Sequence, residues 1–308
     1  MAYQHAFTLD SPTGAKISVR HQRAQDDPKA IFLLSHGLAE HSLRYNEFAG
    51  FFAARGYHFY GFDHRGHGLT IAPDAEMGRF AKRDGEAKVL VDLKRVREHA
   101  EARHPGLPVI LFGHSMGGVI AARAAEFEPH AYRGLCVWNS QLNPGLVGHL
   151  GLALLKAERF FKGSDVPSFF GQRLVLDPWA AAIDSARTPF DWLSRDDREV
   201  DKYIVDPLCG FPCSVSLWID LLDMSINAGR DLSRLPKTLP INLVGGGRDP
   251  ATEKGRAMEW LAARLRRSGI TNVHLTIYPS MRHETLNEYG REDARKALAD
   301  WADGVVAA

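Results

Sequence analysis

The sequence predicts an α/β protein with a mostly parallel central sheet, helices on both faces and an inserted helical cap. Short apolar runs recur along the chain, and stretches with helical spacing separate most of them. Apolar runs without polar alternation are typical of parallel strands that helices cover on both faces. This succession of strands and helices stops between about residues 141 and 236. We therefore expect that segment to be a helical cap inserted between the sixth and seventh strands.

A hairpin is predicted to open the fold. The segments "YQHAFTL" and "AKISVRHQ" alternate apolar and polar residues on either side of the turn "DSPTG", which is the pattern of a half-exposed antiparallel pair. After the third strand, "LRYNEFAGFFAARG" has helical spacing and ends at Gly56, a residue type that commonly terminates helices. The six predicted core strands are, in order, "AIFLLS", "YHFYGF", "LPVILF", "GLCVWN", "LPINLVG" and "VHLTIYP".

The chain length fits one large core with a subdomain. At 308 residues the chain exceeds an average domain, but large α/β folds often reach this size as one unit. The predicted organisation is a first core segment over residues 1–140, the cap over 141–236 and a second core segment over 237–308. Internal repeats and Gly/Ser-rich linkers are absent from the sequence, so the cap should pack on the core and not swing on a tether.

Composition and charge narrow the class of protein. Hydrophobic residues make up 45% and charged residues 24% of the chain, as in ordinary globular proteins. Lysine and arginine total 38 against 37 acidic residues, which leaves no net field to attract a nucleic acid. The sequence has no secretory signal pattern and no apolar run that approaches membrane-spanning length. We therefore expect a soluble, cytoplasmic protein with no nucleic-acid partner.

The cysteines and histidines give no metal-site pattern. Cys136, Cys209 and Cys213 are an odd number in a long chain, which fits reduced thiols better than disulfides. The spacing "CGFPC" has no second pair, whereas a structural zinc site needs about four ligands. The motif "GFDHRGHG" also lacks ligand spacing and is interpreted as a polar loop that braces the turn in "GHSMGG". We expect neither a metal nor an organic cofactor.

The motif "GHSMGG" contains the candidate nucleophile. Glycines on both sides of Ser115 allow the chain to reverse sharply. A strand pattern precedes the motif and a helix pattern follows it, and this is the context in which a turn presents a serine hydroxyl as a nucleophile. The alternative is a structural turn, because glycine-bounded serines are common.

A catalytic serine requires an imidazole base and an acid that orients the imidazole. His283 follows the last predicted strand, and Asp249 follows the strand before it in "GGGRDP". Catalytic groups gather at the carboxyl ends of strands in open α/β sheets. The order Ser115, Asp249, His283 is also the order expected when later strands complete such a site. A rival acid, Asp223, lies inside the predicted insertion, which favours Asp249.

Two backbone amides are candidates for an oxyanion hole. In "LLSHGLAEHS" the chain turns after a buried strand, so the N–H of Leu38 is predicted to face Ser115. Together with the N–H of Met116, it would stabilise a tetrahedral oxyanion, a role for which backbone donors suffice. Glu40, His41 and Arg44 of the same segment are expected to support this loop.

Five motifs together resemble a known family. The segments "HGLAEHSLRY", "GFDHRGHG", "GHSMGG", "GGGRDP" and "YPSMRHETLNE" stand in an order and spacing that resemble the α/β-hydrolase group of monoacylglycerol lipases and bacterial lysophospholipases. The resemblance covers the core from about residue 31 to residue 289, and "DPLCGF" resembles a piece of that group's cap. It implies an α/β-hydrolase fold and a serine carboxylester hydrolase whose triad is Ser115, Asp249 and His283, with Leu38 and Met116 as oxyanion donors.

The substrate expected from this resemblance is a single-chain acyl ester, such as a monoacylglycerol, a lysophospholipid or an aryl ester. Aromatic residues of the insertion are expected to wall an apolar acyl tunnel. The same triad would also serve an amide, lactone or thioester hydrolase or an acyltransferase, and a catalytically silent ligand-binding protein is a further alternative. The aromatic residues are the "FF" pairs at 160–161 and 169–170, with Trp179, Trp192 and Trp218.

The stretch "GLVGHLGLALLKAERFF" has apolar residues around much of its helical circumference. Plain burial on the core is the expected arrangement. A dimer contact or a face that touches a membrane are the alternatives.

Overall fold

The computed structural model describes residues 3–230 and 232–307. Its strands form one eight-stranded sheet in the order β1-β2-β4-β3-β5-β6-β7-β8. Strand β2 pairs antiparallel with β1 and β4, and all other pairs are parallel. The predicted hairpin and mostly parallel sheet are therefore confirmed. The strands are β1 His5–Asp10, β2 Lys16–Gln22, β3 Ala30–Ser35, β4 Tyr57–Phe62, β5 Val109–His114, β6 Gly134–Trp138, β7 Ile241–Gly246 and β8 Val273–Tyr278.

Helices cover both faces of the sheet. Every residue of strands β3 to β7 is buried, as their uninterrupted apolar runs predict. Helices α1 and α10 contribute to the hydrophobic cluster on one face, and α2, α3 and α9 contribute to the cluster on the other. The core helices are α1 Asn46–Ala53, α2 Gly85–Arg103, α3 Met116–Phe127, α9 Arg256–Arg267 and α10 Arg291–Ala307.

All secondary-structure elements described between β6 and β7 are helices. This confirms an inserted helical cap at the predicted place in the strand order. Helix α8 packs on both α3 and α4, so the cap is joined to the core through its last helix. The boundaries predicted at residues 141 and 236 stay predictions. The cap helices are α4 Gly145–Lys162, α5 Phe169–Gly171, a π-helical turn Gln172–Leu176, α6 Asp177–Ala181, α7 Asp197–Val205 and α8 Val215–Arg230.

Helix α4 is only partly buried, so the expectation of plain burial is wrong for much of its surface. Leu152 and Leu155 are buried on the side that packs against α8. Leu146 is 82% exposed and Phe160 is 83% exposed. Helices α8 and α5 cover part of α4, and apolar residues on the remainder face water. None of the helices in the described residues has the length and apolar character that crossing a membrane requires.

Candidate active site

Ser115 lies at a sharp turn between the end of β5 and the start of α3. Its backbone has φ 53° and ψ −120°, a conformation that residues with a Cβ rarely adopt. The flanking glycines permit the turn: a Cβ at Gly117 would lie 2.0 Å from the carbonyl oxygen of Ser35. The Ser115 amide donates to the Trp138 carbonyl at 2.9 Å, and the Ser140 hydroxyl donates to the Ser115 carbonyl at 2.8 Å. These bonds fix the turn that the motif predicts.

Asp249 and His283 meet at the carboxyl ends of β7 and β8. Nδ1 of His283 lies 3.0 Å from both carboxylate oxygens of Asp249. The carboxylate also accepts hydrogen bonds from the Ala251 amide at 2.9 Å, the Thr252 hydroxyl at 2.7 Å and the Asn139 side-chain amide at 3.1 Å. Its complete burial alone would raise the pKa of Asp249, but His283 and these donors outweigh burial and lower it. The group is therefore a carboxylate.

The rival acid lies elsewhere. Asp223 is a residue of the cap helix α8. Its charge acts on Asp220 of the same helix: burial and the Asp223 carboxylate raise the pKa of Asp220 to about 7. The carboxylate that hydrogen-bonds to His283 is that of Asp249.

The candidate residues share one cavity. Ser115, His283, Leu38 and Met116 all line a cavity of about 190 Å³ beneath the cap. Among residues 3–230 and 232–307, the amides of Leu38 and Met116 donate no hydrogen bond to any other group. Two amide donors are thus left for a ligand at the cavity wall, as an oxyanion hole requires.

A buried ionic network supports the loop that carries Leu38. The Gly37 amide donates to Oε1 of Glu40 at 2.6 Å, and the Tyr45 hydroxyl donates to the same oxygen at 2.8 Å. Arg44 donates to Glu40 at 2.6 Å and, through both terminal nitrogens, to Glu284 at 2.6 and 2.7 Å. Burial would raise the pKa of Glu40, but Arg44 holds it well below its usual range. The network joins this loop to the residue that follows His283.

His114 is a neighbour of the site that the sequence analysis did not identify. Its Nε2 lies 3.1 Å from the carbonyl oxygen of His283, and its Nδ1 lies 3.6 Å from Oε1 of Glu40. Burial would lower the pKa of His114, but the Glu40 carboxylate outweighs burial and raises it. The sequence shows His114 only as the histidine of "GHSMGG". Its role could not be predicted, because it depends on contacts with residues far along the chain.

Two cap tryptophans pack around His283. The centroids of the Trp192 and His283 rings are 4.9 Å apart, and those of Trp179 and His283 are 6.3 Å apart. The Glu284 amide donates to the Leu193 carbonyl at 2.7 Å. The cap therefore contacts the loop of His283 directly.

The aromatic wall predicted for the cavity is correct in part. Trp179, Trp192 and Trp218 line the cavity. The phenylalanine pairs do not, and the prediction is wrong for them: Phe160 and Phe161 face solvent at the end of α4. Phe169 is also exposed, and Phe170 packs against the core cluster and not at the cavity. Apolar character alone therefore does not place these residues at the cavity.

The "GFDHRGHG" segment forms a buried polar loop behind the oxyanion loop. Asp63 accepts from Arg20 at 2.9 Å, from the Ser42 amide at 2.9 Å and from the Ser42 hydroxyl at 2.7 Å. The His64 amide donates to Nε2 of His36 at 3.0 Å. The segment thus contacts the residues just before Leu38, and its predicted bracing of the Ser115 turn stays a prediction. The three cysteines are free thiols.

Comparison with known proteins identifies the family. Residues 26–290 match the model of the serine aminopeptidase, S33, family. The chain belongs to this family. Two relatives of this S33 protein are the human monoglyceride lipase, 32% identical over 257 residues that make up 80% of this chain and 74% of that protein, and the monoacylglycerol lipase of Mycolicibacterium smegmatis, 28% identical over 282 residues, 89% of this chain and 88% of that one.

A solved structure shows the same fold. The S33 protein superposes on a thermostable carboxyl esterase from Bacillus coagulans, solved in complex with glycerol, with a TM-score of 0.90, 24% identity and coverage of 99% of both chains. The S33 protein is a serine hydrolase of the carboxylesterase or lipase type. The α/β-hydrolase fold and the family resemblance expected from the sequence are confirmed.

Proposed function

We propose that this S33 hydrolase cleaves single-chain acyl esters of the monoacylglycerol kind, with Ser115 as nucleophile, His283 as general base and Asp249 as the orienting acid. The observation that carries the proposal is the convergence of Ser115 and the Asp249-bound His283 on one cavity with aromatic walls. The names of two relatives, a monoglyceride lipase and a monoacylglycerol lipase, support the substrate class.

Acylation uses the groups at the polar end of the cavity. His283 accepts the Ser115 hydroxyl proton on Nε2 while Asp249 holds its Nδ1–H, so the serine oxygen attacks the ester carbonyl carbon. The carbonyl π electrons move to oxygen, and the amides of Leu38 and Met116 stabilise the resulting oxyanion. When the tetrahedral intermediate collapses, the bond to the alcohol oxygen breaks and His283 protonates that oxygen.

Deacylation repeats the sequence with water. His283 removes a proton from a water molecule, which attacks the acyl carbonyl of the Ser115 ester. The second intermediate uses the same two amides, and its collapse returns the proton to the Ser115 oxygen and releases the fatty acid. No step of this scheme requires a metal or an organic cofactor.

The cavity supports the single-chain preference. Its lining includes the apolar residues Trp218, Leu176 and Phe211, which suit an acyl chain. A covered cavity of about 190 Å³ accommodates one chain beside Ser115. A triacylglycerol would have to place two further chains against the cap, so we expect it to be a poorer substrate than a monoacylglycerol.

Serine replacement and active-site labelling test the proposal together. We expect Ser115→Ala to remain folded and to lose at least about three orders of magnitude in kcat/KM toward p-nitrophenyl esters. A fluorophosphonate probe should label the wild type once, on Ser115, as read by peptide mass spectrometry. Ser268→Ala, at a half-buried serine directly after α9, is the matched control and should retain labelling. Stoichiometric labelling of another serine, or an active Ser115→Ala variant, would contradict the assignment.

A further inference from the structure

Three histidines meet at the edge of the sheet opposite the candidate active site. His21 lies near the end of β2, His58 near the start of β4, and His104 directly after α2. Each offers a ring nitrogen, and these three nitrogens lie within 4.8 Å of one another. Nε2 of His21 is 3.1 Å from Nδ1 of His58, and the His58 and His104 rings stack at 3.6 Å between centroids. The sequence gives no signal for this cluster, because its members are distant in the chain.

We propose that His21, His58 and His104 bind one zinc ion. Imidazole nitrogen is a preferred ligand of Zn²⁺, and three histidines with one open position form a known type of tetrahedral zinc site. Two nitrogens bound to tetrahedral zinc at about 2.0–2.1 Å lie roughly 3.4 Å apart. The 3.1 Å separation of the His21 and His58 nitrogens is close to that value, so a small opening of the pair admits the metal.

Contacts around the cluster already orient two of the rings. The Tyr60 hydroxyl lies 2.8 Å from Nε2 of His104, and this contact orients the His104 ring. The Ala24 amide donates to Nδ1 of His58 at 3.4 Å, so this nitrogen presents a lone pair. In the metal-free pair, His21 therefore donates from Nε2. On binding, zinc replaces that proton and His21 takes the Nδ1–H tautomer, with no net proton gained or lost.

The surrounding pocket gives the metal access and a fourth ligand. A cavity of about 350 Å³ opens beside the cluster and is lined by these three histidines with His5, Arg23 and Arg103. No carboxylate lines it, so nothing there favours protonated imidazoles. Neither arginine forms an ion pair with another residue of the described chain, so both are free to attract water-borne anions. Water or a small anion thus completes the coordination.

The site would act on stability and not on ester cleavage. Its three ligands come from β2, β4 and the end of α2, whereas Ser115 lies at the opposite ends of the parallel strands. A metal held by all three elements binds the folded chain and not the unfolded one, so binding stabilises the fold by mass action. Zinc binding is therefore independent of the proposed esterase function.

Zinc titration of untagged, EDTA-stripped protein in phosphate-free buffer tests the proposal. We expect calorimetry to show one zinc per chain, and we expect Tm to rise by about 4 °C at a free zinc concentration of about 100 times Kd. His58→Gln and His104→Gln should each weaken binding at least about tenfold. Two variants should bind as the wild type does. They are His99→Gln, elsewhere on α2, and Cys209→Ser, at the second group of ligand-type side chains, His41, Asp206 and Cys209.

The controls decide the outcome even if one variant folds poorly. His58 is the most buried of the three, so His104→Gln carries the test should His58→Gln fail to fold. Zinc binding that survives His104→Gln and is lost in Cys209→Ser would overturn the assignment. So would a Tm rise caused by phosphate without zinc and abolished by Arg103→Gln, because the pocket would then be an anion site. An absence of binding heat and of any Tm shift would also overturn it.

Discussion

His283 is held in place from three directions. Asp249 accepts from the ring, the His283 amide donates to the Trp192 carbonyl at 3.4 Å, and the His283 carbonyl lies 3.1 Å from the ring of His114. Only the contact with Asp249 involves the nitrogen that sets the tautomer. The position of the ring is thus shared among several contacts, and its tautomer depends on one carboxylate.

Replacing that carboxylate should separate folding from catalysis. We expect Asp249→Asn to keep the fold and to lose up to about ten-thousand-fold in kcat, because an amide stabilises the wrong imidazole tautomer. Far-ultraviolet circular dichroism and p-nitrophenyl ester kinetics measure the two effects. Asp223→Asn, in α8, is the matched control and should change kcat little. An inactive Asp223→Asn beside an active Asp249→Asn would show that the acid is misassigned.

The positions of the candidate residues could be predicted from the sequence where the local backbone geometry determines them. Glycine spacing predicts the turn at Ser115, and the end of a buried strand predicts where Asp249 and His283 lie. His114, Asn139 and Thr252 escaped prediction, because their roles come from contacts across the fold. Asn139, for example, donates to a carboxylate 110 positions along the chain, and no local pattern records such a pair.

At the scale of elements, the cap supplies most of the apolar wall of the cavity, and the core supplies the polar end. The π-helical turn and α6 place Leu176 and Trp179 at the cavity, and α8 places Trp218 there. Acyl-chain selectivity should therefore depend on cap residues that touch neither Ser115 nor Asp249.

The chain-length profile of esterase activity tests this division. Each methylene buried in the cavity contributes at most about 0.8 kcal/mol, so kcat/KM should rise several-fold per two carbons until the cavity is full. Rates along a C2 to C14 series of p-nitrophenyl esters measure it. Trp179→Ala should shift the optimum, whereas Phe160→Ala, on the exposed end of α4, should leave it unchanged. Activity that falls steadily from C2 onward would refute an acyl-binding cavity.

Strands were more predictable than cap helices for a physical reason. A strand buried on both faces needs an uninterrupted apolar run, and β3 to β7 carry such runs. Helix α4 has apolar residues on more than one side, and periodicity does not tell which side finds a partner. The contact of α4 with α8 depends on the tertiary structure. The exposure of Leu146 and Phe160 could therefore not be predicted from the sequence.

At the scale of the whole molecule, buried neutral histidines link stability to pH. His36, His64 and His67 are buried together, and burial lowers the pKa of each, with His67 lowered to about 3. In the unfolded chain a histidine titrates at about 6.5. The unfolded state therefore binds more protons below that pH. The stability that these groups contribute is full above about pH 6.5 and is lost as the pH falls.

Unfolding in urea with EDTA present should reveal this dependence. Between pH 7.5 and 5.5 we expect the unfolding free energy to fall, with His67 contributing about 1.4 kcal/mol of the loss and His36 and His64 adding to it. His67→Gln should make the loss smaller by about that amount relative to its own stability at pH 7.5. His274→Gln, at an exposed position on β8, is the control and should follow the wild type. A stability that stays constant over this range would contradict the role of the buried cluster.

The tryptophans around the cavity should make the intrinsic fluorescence of the protein sensitive to ligand binding. Three of its six tryptophans line the cavity beside Ser115 and His283, and indole emission responds to the polarity and quenching groups around the ring. An acyl chain that displaces water there should shift the emission spectrum as the cavity fills, and the signal should return when the product departs. Ligand entry and release can then be timed by stopped-flow fluorescence without a dye. The tryptophans outside the cavity, which set the constant background, are Trp138, Trp260 and Trp301.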